Sequence, residues 1–283
     1  MNTAMTTAAE LLEVSELRFV EPSFAELTDE LYSSLIPDLE ATDGRLLVDE
    51  RDDPIAIALR DDDAWHAATF LYRTPSVVWL ERFEETGGEI YQEPRATWAR
   101  AVRAHFAERI RAEIPPAIND LPPDRFEKAR DLVAEHWGGR AGTGVIDACC
   151  GSGIGAAVLR SLGMEPLSYD NDAALIALGL AEGRLLPGEV CCIDGTFATD
   201  YVEPAPLGLA LMMGQCYPGL NDDLWQGLVL ELLALSEEAL ITVGTEPEAA
   251  LIAGWVVEAG RGVEVVENER DPIYDRWVCL VHR

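Results

Sequence analysis

The chain has 283 residues, 48% of them hydrophobic and 7% aromatic, enough apolar material for a packed core and too much for a disordered protein. Its length suits two domains or one enlarged one. The balance of 21 basic against 51 acidic residues gives a formal charge of -30, and Lys128 is the only lysine. Positions 1–138 hold 14 basic and 29 acidic residues and the remainder 7 and 22, so each part carries -15 and the charge is not an acidic tail. An even acidic coat with almost no lysine is expected of a halophilic protein, because strong salt shortens the reach of repulsion.

No run of about 18 apolar residues occurs, and residues 1–16 lack a basic region followed by an apolar stretch. These features predict a chain that is neither exported nor membrane-spanning. The six cysteines, Cys149, Cys150, Cys191, Cys192, Cys216 and Cys279, form two adjacent pairs and no CxxC spacing. That usage fits a reducing, cytoplasmic compartment better than a disulfide framework, and buried packing better than a thiolate site. His66, His105, His136 and His282 share no ligand spacing, so no metal is expected.

In chain order, Ser23 and Glu26 make a capping-box pattern that predicts a helix reaching about Pro37. RLLVDE and IAIALR read as a short hairpin. A helix is expected from Asp63, broken before Pro75, and another over 77–83, stopped by Gly87 and Gly88. Trp98, Val102, Phe106 and Ile110 stand at spacings of four within 94–113 and mark an amphipathic helix. Pro122, Pro123 and Asp124 open a further helix with Phe126, Ala129, Leu132 and Val133 on one side, ended by Gly138 and Gly139. Residues 1–138 thus read as a mainly helical N-terminal domain.

Beyond Gly139 short apolar runs alternate with helical stretches: GVIDACC, a helix from Gly153, PLSYD, a helix from Asp172, EVCCID, LGLALMM, a helix over 222–235, EALITVG, a helix over 247–259. Such alternation predicts a parallel sheet with crossover helices. GVEVVEN and RWVCLVH, joined by a turn with Asp271 and Pro272, read instead as an antiparallel hairpin. The fold class is α/β: seven strands, five of them parallel, over residues 139–283.

The first of these strands runs into Asp147-Ala148-Cys149-Cys150-Gly151-Ser152-Gly153-Ile154-Gly155, a glycine-rich turn leading to a helix N-terminus. Backbone can approach a ligand closely there, beside free N–H groups. The second strand ends at Asp170-Asn171, 23 positions after Asp147, where a carboxylate can accept from both hydroxyls of a ribose. The third ends at Asp194-Gly195.

This succession resembles the class I S-adenosylmethionine-dependent methyltransferases, with Asp147, Gly151 and Gly153 matching the first motif and Cys149 standing where many members have glycine. The resemblance covers about residues 140–283 and implies a Rossmann-like domain that binds S-adenosyl-L-methionine. Asp147, Cys149, Gly151, Ser152 and Gly153 would wrap the methionine part, Asp170 with Asn171 would hold the ribose, and Asp194 with Gly195 the adenine. The acceptor side in this fold is expected from the fourth strand end, which makes Gln215, Cys216 and Tyr217 candidates, and from residues 1–138 as a cover. The Asn/Asp-Pro-Pro-aromatic motif of amino-group methylases of nucleic acids is absent there. The acceptor stays open among small molecule, protein and RNA. Two other readings stay open: an NAD-dependent oxidoreductase, since GSGIGAA also fits GxGxxA, and a non-catalytic cofactor-binding adaptor.

Overall fold

The computed structural model describes residues 6–34, 41–61, 64–119, 121–217 and 219–283, and the chain divides into two compact units, Met1–Glu108 and Arg109–Arg283. No helix among the described residues is long and apolar enough to cross a membrane.

The first unit contains α1 (Ala8–Leu11), β1 (Leu17–Phe19), α2 (Leu31–Ser34), β2 (Asp43–Val48), β3 (Pro54–Arg60), β4 (Trp65–Thr69), α3 (Val77–Thr86) and β5 (Glu89–Gln92), while α4 (Arg95–Glu113) runs across the division. Its strands form one sheet in the order β1-β4-β3-β2-β5. The expected hairpin is there: β2 pairs antiparallel with β3, Leu46 opposite Ile57. The sheet buries Leu46, Val48, Ile57, Leu59, Ala68 and Phe70 against Trp79 and Phe83 of α3. Gly87, left-handed at φ 65°, stops α3 as expected.

Reading this region as mainly helical is therefore corrected, and two local signals account for it. The helix expected from Asp63 begins outside the described residues, and Trp65–Thr69, which it would have covered, is β4. The Asp61 carboxylate, just beyond the end of β3, accepts from the N–H of Ala64 at 2.7 Å. Ser23 and Glu26 do hydrogen-bond, at 2.9 Å, but hold only a 3-10 turn, Phe24–Glu26, and the expected end near Pro37 lies outside the described residues.

The second unit follows the expected alternation closely: α5 (Arg125–Trp137), β6 (Gly144–Ala148), α6 (Ile154–Ser161), β7 (Glu165–Asp170), α7 (Ala173–Ala181), β8 (Val190–Cys192), β9 (Ala205–Ala210), α8 (Asp222–Leu235), β10 (Ser236–Val243), α9 (Glu246–Glu258), β11 (Gly262–Glu267) and β12 (Trp277–His282). The sheet order is β11-β12-β10-β9-β6-β7-β8. Counted from β6 this is 3-2-1-4-5-7-6, parallel except for β12, which lies antiparallel between β10 and β11. The six-stranded dinucleotide-binding order is all parallel, so the inserted hairpin sets this Rossmann-like sheet apart from it.

The expected boundary after Gly138 also shifts. Helix α5 belongs to the second unit, because Ala129, Leu132, Val133 and Trp137 are buried with Val145, Val158, Leu159 and Leu209 in its core. Full burial of each large apolar side chain contributes about 1.5–3 kcal/mol, so this helix is part of what makes the unit fold.

Candidate functional site

The chain leaves β6 and enters α6 through a turn that requires unusual backbone. Cys149, Gly151 and Gly153 take φ values of 52°, 52° and 83°, the left-handed region that favours glycine. A Cβ on Gly153 would lie 2.5 Å from Leu185, and one on Gly155 would lie 2.2 Å from the Asp147 carboxylate. Asp147 thus sits beneath the first turn of α6, accepting from the Ser168 hydroxyl at 3.1 Å and from the N–H of Ala156. Burial, only partly offset by these donors, pushes its carboxyl up to about 7.

Asp170 closes the same turn from the end of β7. One carboxylate oxygen accepts from the N–H of Gly151 and the other from the N–H of Asp172, both at 2.8 Å. Burial raises its pKa, and these donors oppose that rise. Capping α7 falls to Asp172, which accepts from the N–H groups of Ala174 and Leu175. Beyond β8, Asp194 caps the 3-10 turn Gly195–Asp200, accepting from the Thr196 N–H at 2.9 Å and from its hydroxyl at 2.8 Å.

These strand ends surround a cavity of about 380 Å³ lined by Cys149, Gly151, Asp170, Asn171, Asp194 and Gly195, six of the residues singled out in the sequence. Asp147, Ser152 and Gly153 do not line it. Ser152 turns its carbonyl to the Arg184 guanidinium, and Gly153 opens α6. Tyr169, Asp172, Leu175, Met212, Met213, Leu224, Trp225 and Leu228 complete the wall. Three aspartates and no Arg, Lys or His face this cavity among the described residues. Tyr169, 1% exposed, has no hydrogen-bond partner for its hydroxyl, which leaves a buried donor at the wall.

A second cavity of about 320 Å³ adjoins the first and shares Met212 with it. The candidates Gln215, Cys216 and Tyr217 line it, with Gly244, Thr245, Pro247, Glu248, Leu251 and Ile273; Pro218, next in sequence, lies outside the described residues. Glu248 is held by three donors: one oxygen accepts from the Cys216 N–H at 3.1 Å, the other from the N–H and hydroxyl of Thr245 at 3.0 and 2.6 Å. The sequence reading passed over Glu248, although Thr245-x-x-Glu248 after an apolar run is a capping box.

Met212, where the cavities meet, is itself left-handed at φ 49°. Its N–H donates to Thr242 Oγ1 at 2.7 Å, and that hydroxyl donates to Asp275 at 2.6 Å. Asp275 in turn receives both terminal nitrogens of Arg125, which also reaches Asp271 at 3.2 Å. This buried chain of polar groups ties α5 and the β11–β12 connection, with Ile273, to the junction.

The cysteines are poorly suited to act as nucleophiles. Burial, reinforced by Asp170, pushes Cys149 up to about 12 and Cys192 up to about 11, and burial also raises Cys216. Cys191 and Cys192 alternate along β8, whereas Cys149 and Cys150 fall in the turn after β6, not on a strand. Among the described residues no group of three or more His, Cys, Asp or Glu is arranged to hold a metal ion.

No family model matches the sequence, and no curated protein matches it. Solved structures resemble it at low identity. A magnesium protoporphyrin IX methyltransferase from Synechocystis PCC 6803, with bound SAM, is 15% identical over 65% of this chain and 97% of its own, with a TM-score of 0.46. A ribosomal protein L11 methylase from Lactobacillus delbrueckii subsp. bulgaricus is 14% identical over 57% and 79%, TM-score 0.43. A SAM dependent methyltransferase from Aquifex aeolicus is 15% identical over 62% and 98%, TM-score 0.41. The fold assignment rests on the strand order itself.

Proposed function

We propose that the chain binds S-adenosyl-L-methionine in the first cavity and transfers its methyl group to an acceptor in the second. The observation that carries this reading is the set of strand-end carboxylates, Asp170 and Asp194, facing one cavity beside the glycine turn. A cavity walled by aspartates without a basic residue suits a ligand bearing ammonium and sulfonium charge. It suits the pyrophosphate of NAD poorly, since only backbone N–H groups would oppose that charge.

In this reading Asp170 accepts from the ribose hydroxyls, Asp194 from the adenine amino group, and the Gly151 turn lets backbone approach the methionine part. Tyr169 supplies a donor that the protein leaves unpaired. When bound, the cofactor supplies an activated methyl: the acceptor lone pair forms the new bond to carbon as the carbon–sulfur bond breaks, and that electron pair stays on sulfur. The protein aligns and desolvates the acceptor, and where the acceptor atom carries a hydrogen its proton leaves to solvent or to a base; the raised thiol pKa values disfavour a cysteine nucleophile.

Asp170→Ala should weaken S-adenosylhomocysteine binding by about 1.5–3 kcal/mol, the scale of charge-assisted hydrogen bonds. Calorimetry reads this directly, and unchanged affinity would remove Asp170 from the site.

A further inference from the structure

We infer that the second cavity takes a small, largely apolar acceptor that carries no negative charge, an assignment that rests on reading the first cavity as the cofactor site. Its walls are mostly hydrocarbon and thioether, from Met212, Pro247, Leu251 and Ile273. The one charged group in the lining is a carboxylate, Glu248, 8% exposed, and no Arg, Lys or His lines the cavity among the described residues. Its oxygens accept hydrogen bonds from the Cys216 N–H and from Thr245, which fix the carboxylate in the wall. An anionic group entering here would lose water beside a buried carboxylate with no counter-charge.

Size points the same way. A cavity of about 320 Å³ holds about ten waters at ~30 Å³ each, at the low end for small-molecule sites, so the group that enters it is small. Apolar groups also continue outward from it. Ile273 is 69% exposed, Leu220 79% and Tyr217 52%, exposures that a chain with a charge of -30 could readily have given to acidic side chains. Leu220 donates its N–H to the Tyr217 carbonyl, so the two belong to one turn. An apolar body reaching the cavity would meet this rim first.

The test uses the full chain in molar potassium chloride, which screens the overall charge and leaves the local one. Binding of 2-naphthol and of 2-naphthoate, matched in body and differing in charge, is measured by ligand-observed NMR with and without S-adenosylhomocysteine. The naphthol should bind at least tenfold more tightly than the naphthoate. Leu251→Trp, which fills the cavity, should weaken naphthol at least tenfold while leaving S-adenosylhomocysteine affinity within twofold. Ile273→Arg, at an exposed position that tolerates charge, should improve naphthoate binding at least fivefold.

Naphthoate binding as well as naphthol to the wild type, absence of naphthol binding, or naphthol affinity unchanged in folded Leu251→Trp would each overturn the assignment. If Leu251→Trp does not fold, Ile273→Arg decides: a naphthoate affinity it leaves unmoved overturns the assignment too. Failure of S-adenosylhomocysteine to bind sinks the cofactor reading separately, because the naphthalene pair reports on the second cavity in its absence.

Discussion

Asp147 keeps its proton to higher pH than an ordinary carboxyl because it is buried beneath α6. An acid whose folded-state pKa lies above its unfolded value favours folding while protonated. For Asp147 that contribution is complete below about pH 4 and is lost as the pH rises to about 7, at up to about 1.4 kcal/mol per pH unit. Asp147→Asn removes the titration, so the variant should gain on wild type between about pH 5 and 7, with the gap level above that. Urea midpoints across this range check it; a constant gap would show that Asp147 does not titrate there. Cys149 poses a different question, since it holds a left-handed backbone that costs a side chain about 1–2 kcal/mol. Of two variants that both lose the thiol, Cys149→Gly should be more stable than Cys149→Ala by about 1 kcal/mol. The reverse order in thermal melts would mean the turn relaxes. Six of the nine residues expected at the cofactor site line the first cavity, because acidic strand ends and paired glycines leave a sequence signature. Met213, Trp225 and Leu228 carry none: an apolar wall looks like any other core residue until the fold places it.

At the scale of elements, the junction between the cavities depends on Thr242. Thr242→Val keeps the shape but strips the Met212 N–H of its acceptor and Asp275 of a donor. Asp275 keeps both Arg125 nitrogens, so the Met212 N–H is the group left unpaired, and a loss of about 1–3 kcal/mol is expected in urea unfolding. An unchanged midpoint would show that solvent replaces both bonds. The strands and helices from β6 to β12 were legible in sequence because buried parallel strands read as short apolar runs between helices of 3.6-residue period. The sheet of the first unit was hidden where it is short. β4 has five residues, behind a run of aspartates that resembles a helix start, and only its pairing with β3 and β1 distinguishes it. Local pattern cannot report a partner strand, so the residues of β4 carry a helical signal in sequence alone.

For the whole molecule, we propose that the even acidic coat is an adaptation to strong salt. At low ionic strength a charge of -30 repels itself over distances that molar salt reduces to about 3 Å. Thermal stability should therefore rise steeply with potassium chloride from dilute to molar concentration. A melting temperature flat over that range would return the charge to some other cause, recognition of a basic partner among them.

The insertion of β12 between β10 and β11 makes the second sheet dependent on a single interior strand. A chain severed before Trp277 would expose the hydrogen-bonding edge of β10, whose residues 239–243 are buried, and leave β11 without its pairing partner. Two raw edges would open at once, one of them strongly apolar, a combination that invites strand addition between molecules. Proteolytic damage there would therefore show itself as self-association and not as a quiet loss of a terminal hairpin.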